Sequence, residues 1–163
     1  MAEPIAEPIM VYETEIATTP ERLWAALTTG ALTRSYWFDR RIESDWKVGS
    51  EVLFYDGGSD VVTDDGTVLE CDPPRRLVYS FRQLVEGEGA RPGRPHTRVA
   101  FDLEPVHGGR VRLRLVHDQL ERPEDVDGWR QGWSPIIANL KAFLEDGGKA
   151  PGAGADVGGV RGA

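Results

Sequence analysis

The sequence predicts an α+β fold in which a curved antiparallel sheet of about six or seven strands wraps one long C-terminal helix. Two observations predict it. Alternating apolar and polar residues recur between residues 10 and 119, and their connections are too short for the crossovers that parallel strands need. Residues 124–147 instead repeat large apolar side chains at steps of three and four, which is typical of a helix with one apolar face.

The first elements are predicted to be one strand and two short helices. Residues 10–18 alternate as a strand. Thr19 and Pro20 then indicate a helix start, because threonine can cap a helix and proline suits its first turn. Gly30 is predicted to end this helix, and a second short helix is expected over residues 31–36.

The remaining alternating segments are predicted to be strands. They cover residues 37–45, 50–56, 61–72, 76–84, 96–104 and 109–119. The third contains Asp64-Asp65-Gly66, which fits either a hairpin turn or a bend in one strand. Pro73 and Pro74 end it, because proline has no N–H for a ladder hydrogen bond. Pro135 predicts either a kink in the C-terminal helix or a new helix start capped by Ser134.

Composition limits the function classes. A length of 163 residues, with 40% hydrophobic and 28% charged residues, fits one domain, predicted over residues 10–147 between a flexible leader (1–9) and a disordered tail (148–163). The net charge of -8 argues against binding nucleic acid or an anionic membrane. The single cysteine and the absence of a secretion signal or a membrane-length apolar run predict a cytoplasmic protein.

Three strings of residues resemble a known family. TPERLWAALT (19–28), DDGTVLECDPPRRLVYSF (64–81) and GWRQGWSPIIANLKAFLEDG (128–147) look, in this order and spacing, like the AHSA-type family (activator of heat-shock-protein ATPase homologue-like) of the START/SRPBCC superfamily. The resemblance covers residues 10–147. It implies a helix-grip (START/Bet v-like) fold with an elongated hydrophobic cavity between sheet and helix. It does not imply one activity, since superfamily members bind lipids or small aromatic molecules, cyclise polyketides or act as chaperone partners.

Side chains predicted to face that cavity are the candidate ligand-binding residues. Alternate residues of a strand share one face, and His117 follows Val111, Leu113 and Leu115 on the predicted apolar face of its strand. Glu70 follows Gly66 and Val68 in the same way. In an apolar cavity an imidazole and a carboxylate would orient a ligand or transfer a proton; otherwise each lies at a strand end and reaches solvent. The aromatic candidates would line the cavity or simply fill the core. The candidates are Trp37, Phe54, Val68, Glu70, Tyr79, Phe81, Phe101, Leu113, His117, Trp129, Trp133 and Ile137.

The C-terminal helix is predicted to have two roles. Residues 136–144 should hold the sheet. Residues 126–133 contain Gly128, Gly132 and two tryptophans, so they are predicted to form a movable cover over a bound molecule.

Three hypotheses about function follow. The favoured one is binding of a small hydrophobic or aromatic molecule, because no catalytic constellation, metal-ligand spacing or cofactor motif is recognisable. The second is a chaperone-associated or other protein-binding module, as the family name suggests. The third is an enzyme, such as a cyclase, dehydratase or hydrolase, that uses polar cavity residues. No cofactor or metal is expected, and both a monomer and a homodimer fit the sequence.

Overall fold

The computed structural model describes residues 8–84 and 96–146. The elements within these residues are β1 (Met10–Ile16), α1 (Pro20–Thr28), α2 (Gly30–Tyr36), β2 (Arg40–Glu43), β3 (Glu51–Asp56), β4 (Val62–Asp72), β5 (Arg76–Gln83), β6 (Thr97–Val106), β7 (Arg110–Asp118) and α3 (Asp125–Glu145). Most of the predicted leader, all of the predicted tail and residues 85–95 lie outside the described part of the chain.

The seven strands of the described residues form one curled antiparallel sheet in the order β1-β7-β6-β5-β4-β3-β2. The concave face of the sheet holds the core, and α3 packs on it. The buried side chains of α3 are Trp133, Ile136, Ile137, Leu140, Phe143 and Leu144. These observations confirm the predicted sheet that wraps a long C-terminal helix.

The start of α1 has a local cause, whereas the predicted cause of its end does not hold. Thr19 caps the helix as predicted, since its hydroxyl accepts a hydrogen bond from the Arg22 N–H at 3.2 Å. The prediction that Gly30 ends α1 is wrong, because α1 ends at Thr28 and Gly30 is the first residue of α2. Glycine is required there for a different reason: a Cβ atom on Gly30 would lie 2.6 Å from the Ile42 carbonyl oxygen of β2.

The strand predicted over residues 37–45 is shorter in the structure. Trp37 caps the end of α2, and Phe38 and Asp39 adopt left-handed backbone conformations, with φ of 49° and 61°. A strand cannot pass through left-handed residues, so β2 begins at Arg40. This turn leaves the Phe38 side chain 57% exposed.

The segment around Asp64-Asp65-Gly66 belongs to one continuous strand, β4, rather than to a hairpin turn. A Cβ atom on Gly66 would lie 1.7 Å from the Ser80 carbonyl oxygen, so only glycine allows this approach of β4 to β5. The register between β4 and β5 shifts between Val68 and Glu70. Such a shift changes which face the following side chains point to. The prediction that Glu70 points inward is therefore wrong.

One continuous α3 runs through Pro135. The Ser134 hydroxyl donates to the Arg130 carbonyl oxygen at 2.7 Å, as a residue inside a helix does. The alternative of a new helix start capped by Ser134 is therefore wrong. Pro135 and Gln131 are exposed, so water can solvate the Gln131 carbonyl that loses its partner at the proline.

Candidate functional site

The structure brings most of the candidate residues together on the concave face. The buried ones, each at most 6% exposed, are Trp37, Phe54, Val68, Tyr79, Phe81, Phe101, Leu113, His117, Trp133 and Ile137. Trp129 is partly buried and packs against them. Glu70 is separated from this group, because its side chain is 57% exposed and pairs with Arg76 at 3.0 Å on the outer face.

Five of these side chains form a continuous aromatic cluster, which we define as Trp37, Phe54, Phe81, Trp129 and Trp133. The ring centroids of Trp37 lie 5.0 Å from Phe54 and 5.2 Å from Trp133. Phe81 lies 5.5 Å from Phe54 and 5.8 Å from Trp129. The tilted and edge-on contacts favour attraction between the rings. The cluster thus joins the end of α2 to β3, β5 and α3, with little exposed surface between its rings.

His117 is held at both ring nitrogens. The Trp133 indole N–H donates to Nδ1 at 2.9 Å, and Nε2 lies 2.7 Å from the Thr97 hydroxyl. An indole N–H can only donate, so Nδ1 must accept, and the neutral ring carries its proton on Nε2. The Thr97 hydroxyl oxygen accepts a hydrogen bond from this Nε2–H, and the Thr97 hydroxyl donates to the Phe81 carbonyl oxygen at 2.9 Å. This chain of hydrogen bonds connects α3 to β7, β6 and β5.

The protonation state of His117 follows from its burial. Desolvation lowers the pKa of His117 to about 4, and the negative charge of Asp118 opposes this only in part. The imidazole is therefore neutral near pH 7, with both nitrogens engaged. The prediction that His117 points inward is confirmed, while its geometry favours fixing α3 on the sheet over transferring a proton.

Tyr79 carries a buried polar atom without a partner. Its side chain is 0% exposed, and its hydroxyl makes no hydrogen bond with any described residue. Burial, followed by the effects of Tyr36 and Asp64, raises the pKa of Tyr79 well above its ordinary value. Its ring lies 6.1 Å from both Phe54 and Phe101, centroid to centroid. A lone hydroxyl donor thus stands among aromatic rings.

Asp64 is a candidate that the sequence reasoning missed. Its side chain is 11% exposed, its Oδ1 lies 2.6 Å from the Thr63 hydroxyl, and Arg40 Nε lies 3.8 Å away. Burial raises the pKa of Asp64, while the Thr63 hydroxyl and Arg40 oppose the rise. The signal was present in the sequence: once β4 is one strand, Asp64 has the same parity as Gly66 and Val68.

The beginning of α3 is attached to the sheet by few contacts. We call residues 125–132 the cover segment. None of its side chains is fully buried, and only Val126 and Trp129 pack partly against the core. A Cβ atom on Gly128 or Gly132 would meet nothing within 4 Å. Trp133, which is fixed to His117, marks where the firmly packed part of α3 begins.

A separate open cleft of about 550 Å³ lies between the α1–α2 junction and β2–β3. Its lining contains none of the twelve candidates and consists of Thr28, Thr29, Gly30, Ile42, Glu43, Ser44, Asp45, Trp46, Ser50, Glu51 and Leu53.

Within residues 8–84 and 96–146, no group of three His, Cys, Asp or Glu side chains is arranged to hold a metal ion. Among the helices of residues 8–84 and 96–146, none combines the length and the apolar character that a membrane span needs.

Comparison with known proteins finds a family model that matches most of the chain. The family model described as "Activator of Hsp90 ATPase homolog 1-like protein" matches residues 17–145. No curated protein matches the chain in sequence.

Solved structures share the fold. The solution structure of ChR145 from Cytophaga hutchinsonii is 26% identical, with a TM-score of 0.67 over 85% of this chain and 94% of that one. PFC0360w, an HSP90 activator from Plasmodium falciparum, is 19% identical, with a TM-score of 0.64 over 83% and 96% of the two chains. DynU16, a putative protein in the dynemicin biosynthetic locus, is 16% identical, with a TM-score of 0.70 over 89% of this chain and 49% of that one.

Proposed function

We propose that this chain, which belongs to the family of activator of Hsp90 ATPase homolog 1-like proteins, binds a small hydrophobic or aromatic molecule between the concave face of the sheet and α3. The observation that carries this proposal is the Tyr79 hydroxyl, which is fully buried among aromatic rings and has no partner among the described residues. A few polar groups placed among apolar side chains are typical of small-molecule sites.

The energetics of Tyr79 favour a ligand role. Leaving a buried donor unsatisfied costs about 1–3 kcal/mol, and such groups are rare in folded proteins. Phenylalanine has the same ring and would avoid this cost. A ligand with an acceptor atom would satisfy the hydroxyl and gain affinity from it. A tyrosine hydroxyl is protonated at neutral pH, and burial raises the pKa of Tyr79 further, so this hydroxyl remains a donor.

Access to this region requires a movement, because the aromatic cluster is closely packed. The cover segment is the part of α3 with the fewest core contacts, and Trp129 is the one side chain that it contributes to the aromatic cluster. Lifting the cover segment would separate Trp129 from His117, whose ring centroids lie 4.3 Å apart, and would expose Phe81. Trp133 would remain hydrogen-bonded to His117. We therefore place the moving part at residues 125–132.

Tyr79→Phe tests the proposal, with Tyr55→Phe as the matched control. Tyr55 is on β3, only partly buried, with its ring 4.5 Å from the Arg41 guanidinium. We expect Tyr79→Phe to raise the free energy of unfolding by about 1 kcal/mol and to weaken binding of apolar ketones in a thermal-shift series. Tyr55→Phe should leave ketone binding unchanged. A destabilised Tyr79→Phe with unaltered ketone binding would contradict the proposal.

A chaperone-associated role is the second candidate, and the family match favours it. Phe38 adds a structural argument, because it is 57% exposed and held on left-handed backbone, which is unfavourable unless the position has a use. If this role applies, adding the protein to a purified Hsp90 should accelerate ATP hydrolysis, and Phe38→Ser should reduce that effect. An unchanged ATPase rate would remove this candidate.

Whether the chain is a monomer or a homodimer stays a prediction.

The enzyme hypothesis was suggested by Glu70 and His117, and the positions of these two residues do not support it. Glu70 and His117 lie on opposite faces of the sheet, so they cannot act on one substrate. The imidazole nitrogens of His117 are both engaged in hydrogen bonds. A general base needs a free lone pair near the proton that it accepts. These contacts favour binding over proton transfer at this site.

A further inference from the structure

We propose that Arg40 and Asp64 recognise a hydroxyl group of the bound molecule, so that the ligand is a neutral aromatic alcohol or phenol. This inference rests on the proposed binding of an apolar molecule between the sheet and α3, and it adds the chemical class of that molecule.

Both residues border the aromatic cluster at Phe54. Asp64 on β4 is the cross-strand partner of Phe54 on β3, so the two side chains are neighbours on the concave face. Arg40 lies on β2 two residues before Ile42, which is the partner of Phe54 on the other side. An aromatic molecule packed against Phe54 would thus have Arg40 and Asp64 beside it.

A β-bulge sets the position of Asp64. The register between β3 and β4 shifts between Phe54 and Tyr55. Phe54 pairs with Asp64 and Tyr55 pairs with Val62, so Thr63 has no partner residue in this register. The Thr63 hydroxyl lies 2.6 Å from Asp64 Oδ1. Among the described residues no hydrogen bond reaches the other carboxylate oxygen of Asp64. Bulges of this kind often redirect side chains at functional sites.

The distance between Arg40 and Asp64 allows one oxygen atom beside the pair to lie within hydrogen-bond range of both. Arg40 Nε lies 3.8 Å from Asp64 Oδ1, which is beyond the range of a direct hydrogen bond. Arg40 also has Asp56 at 3.9 Å, but that carboxylate is 62% exposed and faces solvent. A ligand oxygen placed against both groups can accept from the Arg40 guanidinium and donate to the Asp64 carboxylate.

A hydroxyl is the simplest group that makes both contacts. A carboxylate accepts from Arg40 but cannot donate to Asp64, and the negative charge of Asp64 would repel it. An ammonium group donates to Asp64 but cannot accept from Arg40, and the positive charge of Arg40 would repel it. A hydrocarbon would leave both polar groups without a ligand contact. The pair therefore selects for a neutral hydroxyl over anionic, cationic and purely apolar analogues.

Three naphthalene probes of similar shape test this inference by isothermal titration calorimetry: 2-naphthol, 2-methylnaphthalene and 2-naphthoate. We expect 2-naphthol to bind at least about tenfold more tightly than the other two, since one hydrogen bond to a charged group accounts for such a factor. Asp64→Leu, which keeps the approximate shape of the side chain, should reduce this preference to less than about threefold. The matched control is Asp56→Asn, which alters the exposed partner of Arg40 and should preserve the preference.

The outcomes separate this inference from the proposed function. Equal binding of 2-naphthol and 2-methylnaphthalene would overturn the hydroxyl selectivity and leave the apolar site standing. Tighter binding of 2-naphthoate would overturn it in favour of anion recognition by Arg40. An undiminished preference in folded Asp64→Leu, verified by circular dichroism, would also overturn it. Failure of all three probes to bind would overturn both this inference and the proposed function.

Discussion

Lowering the pH from 7 to 4 should destabilise this protein through His117. Burial lowers the pKa of His117 in the folded state to about 4, whereas an unfolded histidine titrates near 6.5. Between these values the unfolded chain binds a proton that the folded chain does not. The contribution of His117 to stability is therefore fully present above pH 6.5, and it is lost progressively as the pH falls toward 4.

The magnitude follows from the two pKa values. Each pH unit in this window changes the free energy of unfolding by about 1.4 kcal/mol, so the full loss is about 3 kcal/mol. This is a large share of the roughly 5–15 kcal/mol that stabilises an ordinary domain. Below about pH 4 the protonated ring has a donor at Nδ1 facing the Trp133 indole N–H, which is also a donor.

The assay is urea denaturation of the wild type and of His117→Gln, followed by tryptophan fluorescence at several pH values from 7 to 4. Glutamine can accept from Trp133 and donate to Thr97 but does not titrate. Carboxylates titrate in both proteins, so the difference between the two curves isolates His117. We expect this difference to change by about 3 kcal/mol across the window. A difference that does not vary with pH would refute the reasoning, as would an NMR titration of His117 near its ordinary pKa.

Three substitutions test other parts of the structure. Trp133→Phe should cost about 1–3 kcal/mol more than Trp129→Phe in chemical denaturation, because it removes the indole N–H that satisfies His117; equal costs would contradict the hydrogen-bond chain. Gly66→Ala should cost roughly 3 kcal/mol or more, since its Cβ would overlap backbone of β5, and a fully stable variant would exclude the described strand contact. Pro135→Ala should raise the thermal midpoint and stabilise by about 1–3 kcal/mol, because it restores a backbone donor inside α3; a destabilised variant would show that the proline shapes the helix.

The sequence predicted the fold because its signals are local and regular. Thr19 and Pro20 mark the start of α1, and the alternation around His117 places that residue on the buried face of β7. The spacing from Trp133 onward identifies the buried face of α3. Each of these signals depends only on residues close in the chain, and tertiary packing agrees with it.

The candidate site was harder to predict because a β-bulge changes which face of the sheet the following side chains occupy. Glu70 and Val68 share a parity in the sequence, but the register shift between them turns Glu70 to the outer face. Asp64 lies in a sequence that resembles a turn, and its position beside Phe54 depends on strand pairing. The partner of His117 is Trp133 on another element, and no spacing rule identifies such a contact.

The pairing of β1 with β7 has a consequence for synthesis of the chain. Met10 pairs with His117 and Ile16 with Val111, so the first strand meets its partner only after about a hundred further residues have been made. At typical translation rates of about 5–20 residues per second, β1 waits for several seconds with its backbone groups unpaired. During this interval α1 and α2 can form, since helices depend on local contacts. Among the strands of the described residues, β1 is therefore the one to which a ribosome-associated chaperone would have the longest opportunity to bind.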